Sequence, residues 1–177
     1  MEPVSKVPVW FERSFDFSFA VELHPNVCVR LRGTPARLEE MVRSRSQDVL
    51  VRKPQQKWSA QEHAGHLLDL EPLWTARAGE FTAGSSGHLT VADLTNRKTH
   101  EANHNAQPLE QILAGFRRAR SELLQRVETT DAARSARTIL HPRLQKPMRL
   151  VDHLYFVAEH DDHHLARIWE LLNAGPG

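Results

Sequence analysis

The 177-residue chain has a single cysteine, Cys28, and a single tyrosine. One cysteine cannot close an intrachain disulfide, so the fold must rest on its core alone, as expected in the reducing cytoplasm. A free thiol is usually a small buried residue, and Cys28 reads that way rather than as a nucleophile. Long apolar runs are also missing. Nothing approaches the roughly 20 residues that cross a bilayer, and Met1-Glu2-Pro3-Val4-Ser5-Lys6 lacks the apolar segment of a secretion signal. These absences argue against a membrane partner and predict a cytoplasmic protein. Charge of one sign is not in excess: 23 Lys and Arg against 22 Asp and Glu leave a net charge of +1. The total therefore gives no electrostatic case for nucleic acid, and the run Arg117-Arg118-Ala119-Arg120 reads as the solvated side of a helix. Internal repeats and low-complexity segments are absent too. What is present is an ordinary globular composition, 40% hydrophobic and 25% charged, with 11 histidines. That is enough chain for one domain with a real core.

Residues 1–33 carry the weakest pattern. Phe15, Phe17, Phe19, Val21 and Leu23 alternate with polar or small residues, which is the period of a strand. No second stretch offers such a strand a partner. An extended arm or short helix laid over the core is expected, pinned by Val27, Val29 and Leu31. The domain proper is expected over 34–177. Thr34 opens it as an N-cap with Pro35 at the first helical position, and Leu38, Met41, Val42 and Val49 mark the buried face. After a loop over 52–56, Ser59 and Glu62 form a capping box for a second helix, with Trp58 packed over its first turn. The inward stripe of this helix is His63, His66, Leu67, Leu70, Leu73, Trp74, Ala78 and Phe81, and Pro72 predicts a kink.

Gly84-Ser85-Ser86-Gly87-His88 reads as a turn. A short helix is expected at Val91–Asn96, and His100, His104 and Asn105 read as loop surface near the mouth of any site. Pro108 opens a third helix with Leu109, Ile112, Leu113, Phe116, Leu123, Leu124 and Val127 on its inner side. A loop containing His141-Pro142 and Lys146-Pro147 leads to a fourth helix over 149–173, stopped by Gly175 and Pro176. Four amphipathic helices predict an all-α four-helix bundle. The two later connections, about 20 residues each, are long enough to cover something or to cross the bundle.

The fourth helix carries Leu150, His153, Val157, His160, His164, Ile168 and Leu171 on its inward stripe. Three histidines stand where a plain bundle would carry Leu or Val. His160 and His164, four residues apart, stack on one face and can reach one metal ion. His66 supplies a third imidazole from another inward face, and Gly65 beside it permits close approach. Three histidines without cysteine describe a site with open positions for Zn, Ni, Co or Fe, rather than a closed structural site. His63 and His153 fall on the same stripes and read as hydrogen-bonded core residues or as a fourth ligand. His163 lies 100° round from His164 and reads as helix surface. Asp69, and Asp161 or Asp162, read either as groups that orient a ligand's free N–H or as solvated surface. Glu71 and Asp69 are the nearest acidic candidates for a general base. Arg167 is a candidate anion holder or a surface ion pair.

Trp58-Ser59 followed by His66, and then His160-Asp161-Asp162-His163-His164-Leu165-Ala166-Arg167-Ile168, resembles the DinB/YfiT-like superfamily. Arg32-Gly33-Thr34-Pro35-Ala36-Arg37-Leu38 and Leu150-Val151-Asp152-His153-Leu154 resemble that family's first and last helices, so the likeness spans residues 12–172. The resemblance implies a bundle of up-down-down-up course, a metal triad of His66, His160 and His164, and a homodimer. Its members include thiol S-transferases that use low-molecular-weight thiols, a mycothiol-dependent isomerase, and others classed as metal-dependent hydrolases. Some members carry a further histidine where this chain has Glu71, and others a glutamate in the last-helix pair, so the substrate does not carry over.

Together these features predict an enzyme whose divalent ion, zinc or nickel, activates a water or a thiol against a small electrophile. A metal-binding or stress-related bundle without turnover predicts the same triad but no roomy apolar cleft. A plain structural bundle predicts histidines turned outward or individually hydrogen-bonded.

Overall fold

Four long helices carry the fold in the computed structural model, which describes residues 7–85 and 87–174: α1 (His24–Val42), α2 (Ala60–Ala83), α3 (Leu109–Val127) and α4 (Leu150–Asn173). Met1 to Lys6, Ser86 of the turn, and the Gly175-Pro176 stop lie outside the described residues. The capping box of α2 forms as its sequence requires: Ser59 Oγ accepts from the Glu62 amide at 3.1 Å, and Glu62 accepts from the Ser59 amide at 2.8 Å. Gly84 ends α2 in the left-handed conformation (φ 75°), which glycine adopts without a Cβ penalty. Pro108 flanks the start of α3, and Arg149 that of α4, where its amide donates to Asp152 at 2.8 Å.

The first helix begins ten residues earlier than Thr34 suggests. It starts at His24 with Pro25 in its first turn, and Pro35 lies inside it. Thr34 is not a cap; its buried hydroxyl donates to Asp161 of α4 at 2.9 Å. Pro35 has no N–H to offer the Leu31 carbonyl, its i−4 acceptor. The Arg120 guanidinium donates to that carbonyl instead, at 3.3 Å. The Phe15–Leu23 alternation makes no strand. That segment is irregular and ends in one 3₁₀ turn, Val21–Leu23, with another before it at Trp10–Glu12, and Phe15 and Phe17 pack on the core.

Two connections also differ from expectation. Val91–Asn96 is not helical; the short helix lies later, at Arg97–Glu101, because Asp93 accepts from the amides of Thr95 (2.9 Å) and Arg97 (3.0 Å) and holds a turn ahead of it. The connection before α4 holds a small antiparallel hairpin, β1 (Ile139–His141) and β2 (Lys146–Met148), so the molecule is not wholly helical. A short run at His88–Leu89 joins its edge.

The helices pack in the cyclic order α1–α4–α2–α3. Their buried residues form two apolar clusters, one of them with Leu31, Trp74, Leu123 and Val157, the other with Leu38, Leu67, Phe116 and Leu165. Along α1 and α4 the chain passes from the first cluster to the second; along α2 and α3 it passes from the second to the first. That is the up-down-down-up course. Between the clusters lies one polar layer with a residue from each helix: Thr34, Glu71, Arg120 and Asp161. Arg120 donates to both carboxylates, and all four side chains are buried. Arg120 thus belongs to the interior, while Arg117 and Arg118 of the same run are exposed.

Candidate metal centre

His160 and His164 stand one turn apart on α4 and face His66 on α2. One ring nitrogen from each lies within 4.8 Å of the others, and all three residues are buried. The Nε2 atoms of His160 and His164 are 3.2 Å apart. Two imidazole nitrogens sharing an ion at about 2.1 Å sit roughly 3.0–3.4 Å from each other, so this pair has the spacing of co-ligands.

Neighbouring groups orient two of the three rings, and for His66 they also set which nitrogen is free. The Thr99 hydroxyl donates to Asp69 Oδ2 at 2.9 Å, so its oxygen is left to accept from His66 Nδ1–H, also at 2.9 Å. That fixes the proton on Nδ1 and leaves the Nε2 lone pair of His66 for a ligand. Asp69 Oδ2 is anchored in turn by His104 Nε2–H at 2.8 Å. His164 Nδ1 lies 2.8 Å from His63 Nδ1, which fixes its ring as Thr99 fixes that of His66. His160 Nδ1 is buried without a partner among the described residues, and its ring is held edge-on by Trp10 and Trp74. Burial lowers His66 to about 4 and His63 to about 3, and pushes His160 and His164 well below the usual value. All are therefore neutral at physiological pH, the form that ligates a metal. The donor set and the spacing of its nitrogens fit a divalent ion.

Other sequence candidates fall elsewhere. His63 is the hydrogen-bond partner of His164. His153 is fully buried between Trp74 and Phe81, away from the triad. His104, expected on the surface, is buried, because Gly65 leaves room for it: a Cβ at position 65 would overlap its ring. Asn105 accepts from Ser59 Oγ at 2.7 Å, and the exposed His100 rests near Trp58. Asp69 is linked to His66 by hydrogen bonds only through Thr99, and its charge also pulls the His66 imidazole upward against burial. Glu71 is engaged by Arg120, and burial pushes its carboxyl up to about 7 against the pull of that guanidinium. Asp161 is held by Arg120 and Thr34, and Asp162 by Arg30 and Arg37, so neither orients a ligand. Arg167 pairs with Glu170 at 2.5 Å.

The triad lines one part of a cavity of about 340 Å³ whose walls are largely apolar and include Trp10, Phe11, Trp58, Trp74 and Phe156. His163 also lines it, half-buried against Trp10 rather than on open helix surface. Trp10 comes from the N-terminal arm, so the arm is a wall of the site. Trp10, Thr99, Arg77, His141 and Arg143 also belong to the site or touch it, and none of them is expected there from the sequence. Thr99 and the hairpin residues lie on irregular connections where no periodicity points inward. Arg77 was discoverable, being one turn from Trp74 and Phe81 on the buried stripe.

Comparison with known proteins follows the same lines. The model of the DinB superfamily matches residues 30–168. Among solved structures the chain is similar to YfiT from Bacillus subtilis, described as "a probable metal-dependent hydrolase with an unusual four-helix bundle topology". The two share 19% identity with a TM-score of 0.78, over 90% of this chain and 91% of that one. At that identity the likeness shows the fold. No curated protein sequence matches.

Proposed function

The chain belongs to the DinB superfamily, and from that premise we propose that it is a metal-dependent enzyme, with His66, His160 and His164 holding a divalent ion such as zinc or nickel. The observation that carries this reading is a triad of buried, neutral, pre-oriented imidazoles on the wall of an aromatic cavity. A bundle that merely stored metal would have no use for the cavity. When bound, the ion supplies Lewis-acid activation of a water or thiol near neutral pH. His63 and Thr99 keep two ligand rings in register, and Trp10, Trp58 and Trp74 exclude bulk water from the reacting region. Hydrolysis of a small molecule is the reaction class nearest to the description of YfiT. Transfer to a low-molecular-weight thiol needs the same activation and differs in the nucleophile. A cytoplasmic homodimer agrees with the lone buried Cys28 and with the resemblance.

The test is metal analysis followed by turnover. Purified protein loaded with zinc or nickel is expected to retain one ion per chain after dialysis, and His160→Ala to retain none. An electrophile panel is then assayed with water alone and with added thiol. Equal retention by His160→Ala overturns the assignment of the triad. Retention without turnover on either arm overturns the enzyme.

A further inference from the structure

Resting on the reading that this cavity holds a small substrate, we propose that Arg77, His141 and Arg143 form an anion site within it, which holds a carboxylate or phosphate head of the substrate. All three line the same cavity as the triad. Arg77 projects from α2 and is 1% exposed; its Nε donates to the Thr90 carbonyl at 2.8 Å. Its Nη1 lies 3.2 Å from His141 Nε2. His141 Nδ1 receives the backbone amides of Arg143 and Leu144, both at 3.2 Å. A backbone N–H can only donate, so Nδ1 carries the lone pair and Nε2 the proton. With the proton on Nε2, the Arg77 guanidinium and the His141 Nε2–H therefore face each other at 3.2 Å as two donors, an opposition that an acceptor entering the cavity would relieve. Arg143 adds a third: its Nη2 is buried without a partner, and the guanidinium lies over the rings of Phe11 and Phe156.

Among the described residues, neither Arg77 nor Arg143 is in an ion pair, whereas Arg13, Arg30, Arg120 and Arg149 each hold a carboxylate. The nearby acids are committed elsewhere. Glu80 accepts from Thr90, and Asp93 from the amides of Thr95 and Arg97. Burial lowers Arg77 to about 10 despite the pull of Glu80, and Arg143 adds to the effect. Glu80 and Asp93, the latter on the wall of the same cavity, lie nearby, but among the described residues no carboxylate is in ion-pair contact with either guanidinium, and an oxyanion supplies that contact. Guanidinium forks match carboxylate and phosphate oxygens in pairs. With aromatic walls around them, the substrate class is an anionic head on an apolar body.

The test is calorimetric titration of metal-free protein with 3-phenylpropionate, phenylphosphonate and neutral 3-phenylpropionamide. At least one acid is expected to bind ten-fold or more tightly than the amide. Arg143→Gln and Arg77→Gln should each weaken the acid ten-fold or more and leave the amide unchanged. If Arg77→Gln fails to fold, judged by circular dichroism, Arg143→Gln and Arg77→Lys decide. Whichever acid binds more tightly identifies the head. Equal binding of acid and amide, no binding of either acid, or acid binding untouched by the arginine variants overturns the site. So does acid binding that appears only after zinc loading and is lost in His160→Ala, which would put the head on the ion. Failure of zinc uptake with intact acid binding removes the metal reading alone.

Discussion

Thr99 is the residue on which the orientation of His66 turns. Its oxygen accepts from His66 while its hydroxyl donates to Asp69, and Asp69 is held by His104 in the space that Gly65 leaves open. Thr99→Val keeps the shape and removes the acceptor, so the His66 ring loses its fixed tautomer. Zinc affinity is expected to fall roughly 10–100-fold, and Thr99→Ser to restore most of it. Competition with a chromophoric chelator measures both. Of this site, the pair His160 and His164 was legible in the sequence, because a four-residue spacing on a helix needs no knowledge of the rest of the fold; His66 was placed with it by the stripe of its own helix and by the family resemblance. The chain that orients His66 was not legible. Thr99 and His104 sit on a connection thirty or more positions from the helix residues they touch, and a connection has no face to read. His104 looked like loop surface because its neighbours are asparagines. Its burial depends on the glycine opposite, which sequence pattern alone does not pair with it.

At the level of elements, the four helices were legible from capping signals and stripes, but their ends and polar contacts less so. Thr34-Pro35 has the form of a helix start, yet α1 runs through it because Arg120 satisfies the carbonyl that Pro35 leaves free. Arg120 itself looked like part of a solvated charge run. Its phase told otherwise, since Phe116, Arg120, Leu123 and Val127 fall on one stripe of α3, and all are buried. Arg120→Met is expected to destabilise the fold by about 3–5 kcal/mol, because two carboxylates and a backbone carbonyl lose their donor inside the protein. Adding Glu71→Gln should recover part of that loss, since one fewer buried charge is then unpaired. Urea unfolding of the single and double variants checks both, and an Arg120→Met variant as stable as the parent would contradict this account.

For the whole molecule, the buried histidines set a response to acid. His63, His66, His141, His153, His160 and His164 all have folded values lowered by burial, with His141 and His153 at about 3. The unfolded chain binds protons near pH 6.5 and the folded chain does not. Their stabilising contribution is therefore complete above about pH 6.5 and is lost as pH falls toward the folded values. Each fully counted histidine costs roughly 1.4 kcal/mol per pH unit in that window. Glu71, raised by burial, works in the opposite direction, but it is one group against these six, with His24 and His163 lowered by burial as well. Metal-free protein should lose stability steeply between pH 6.5 and 4, and His153→Leu should shallow the slope by about one proton. Unfolding midpoints at pH 7, 6 and 5 give the slope directly.

Oily rods packed side by side can settle at several heights, since one methyl looks much like the next. Here a slip of one turn by any helix would carry Thr34, Glu71, Arg120 or Asp161 into grease and leave its former neighbours unanswered. The level tier of four thus acts as a vernier mark. The oily contacts above and below it can be redrawn independently, by selection or by an engineer, while the metal-facing rings one or a few residues away on α2 and α4 stay aligned.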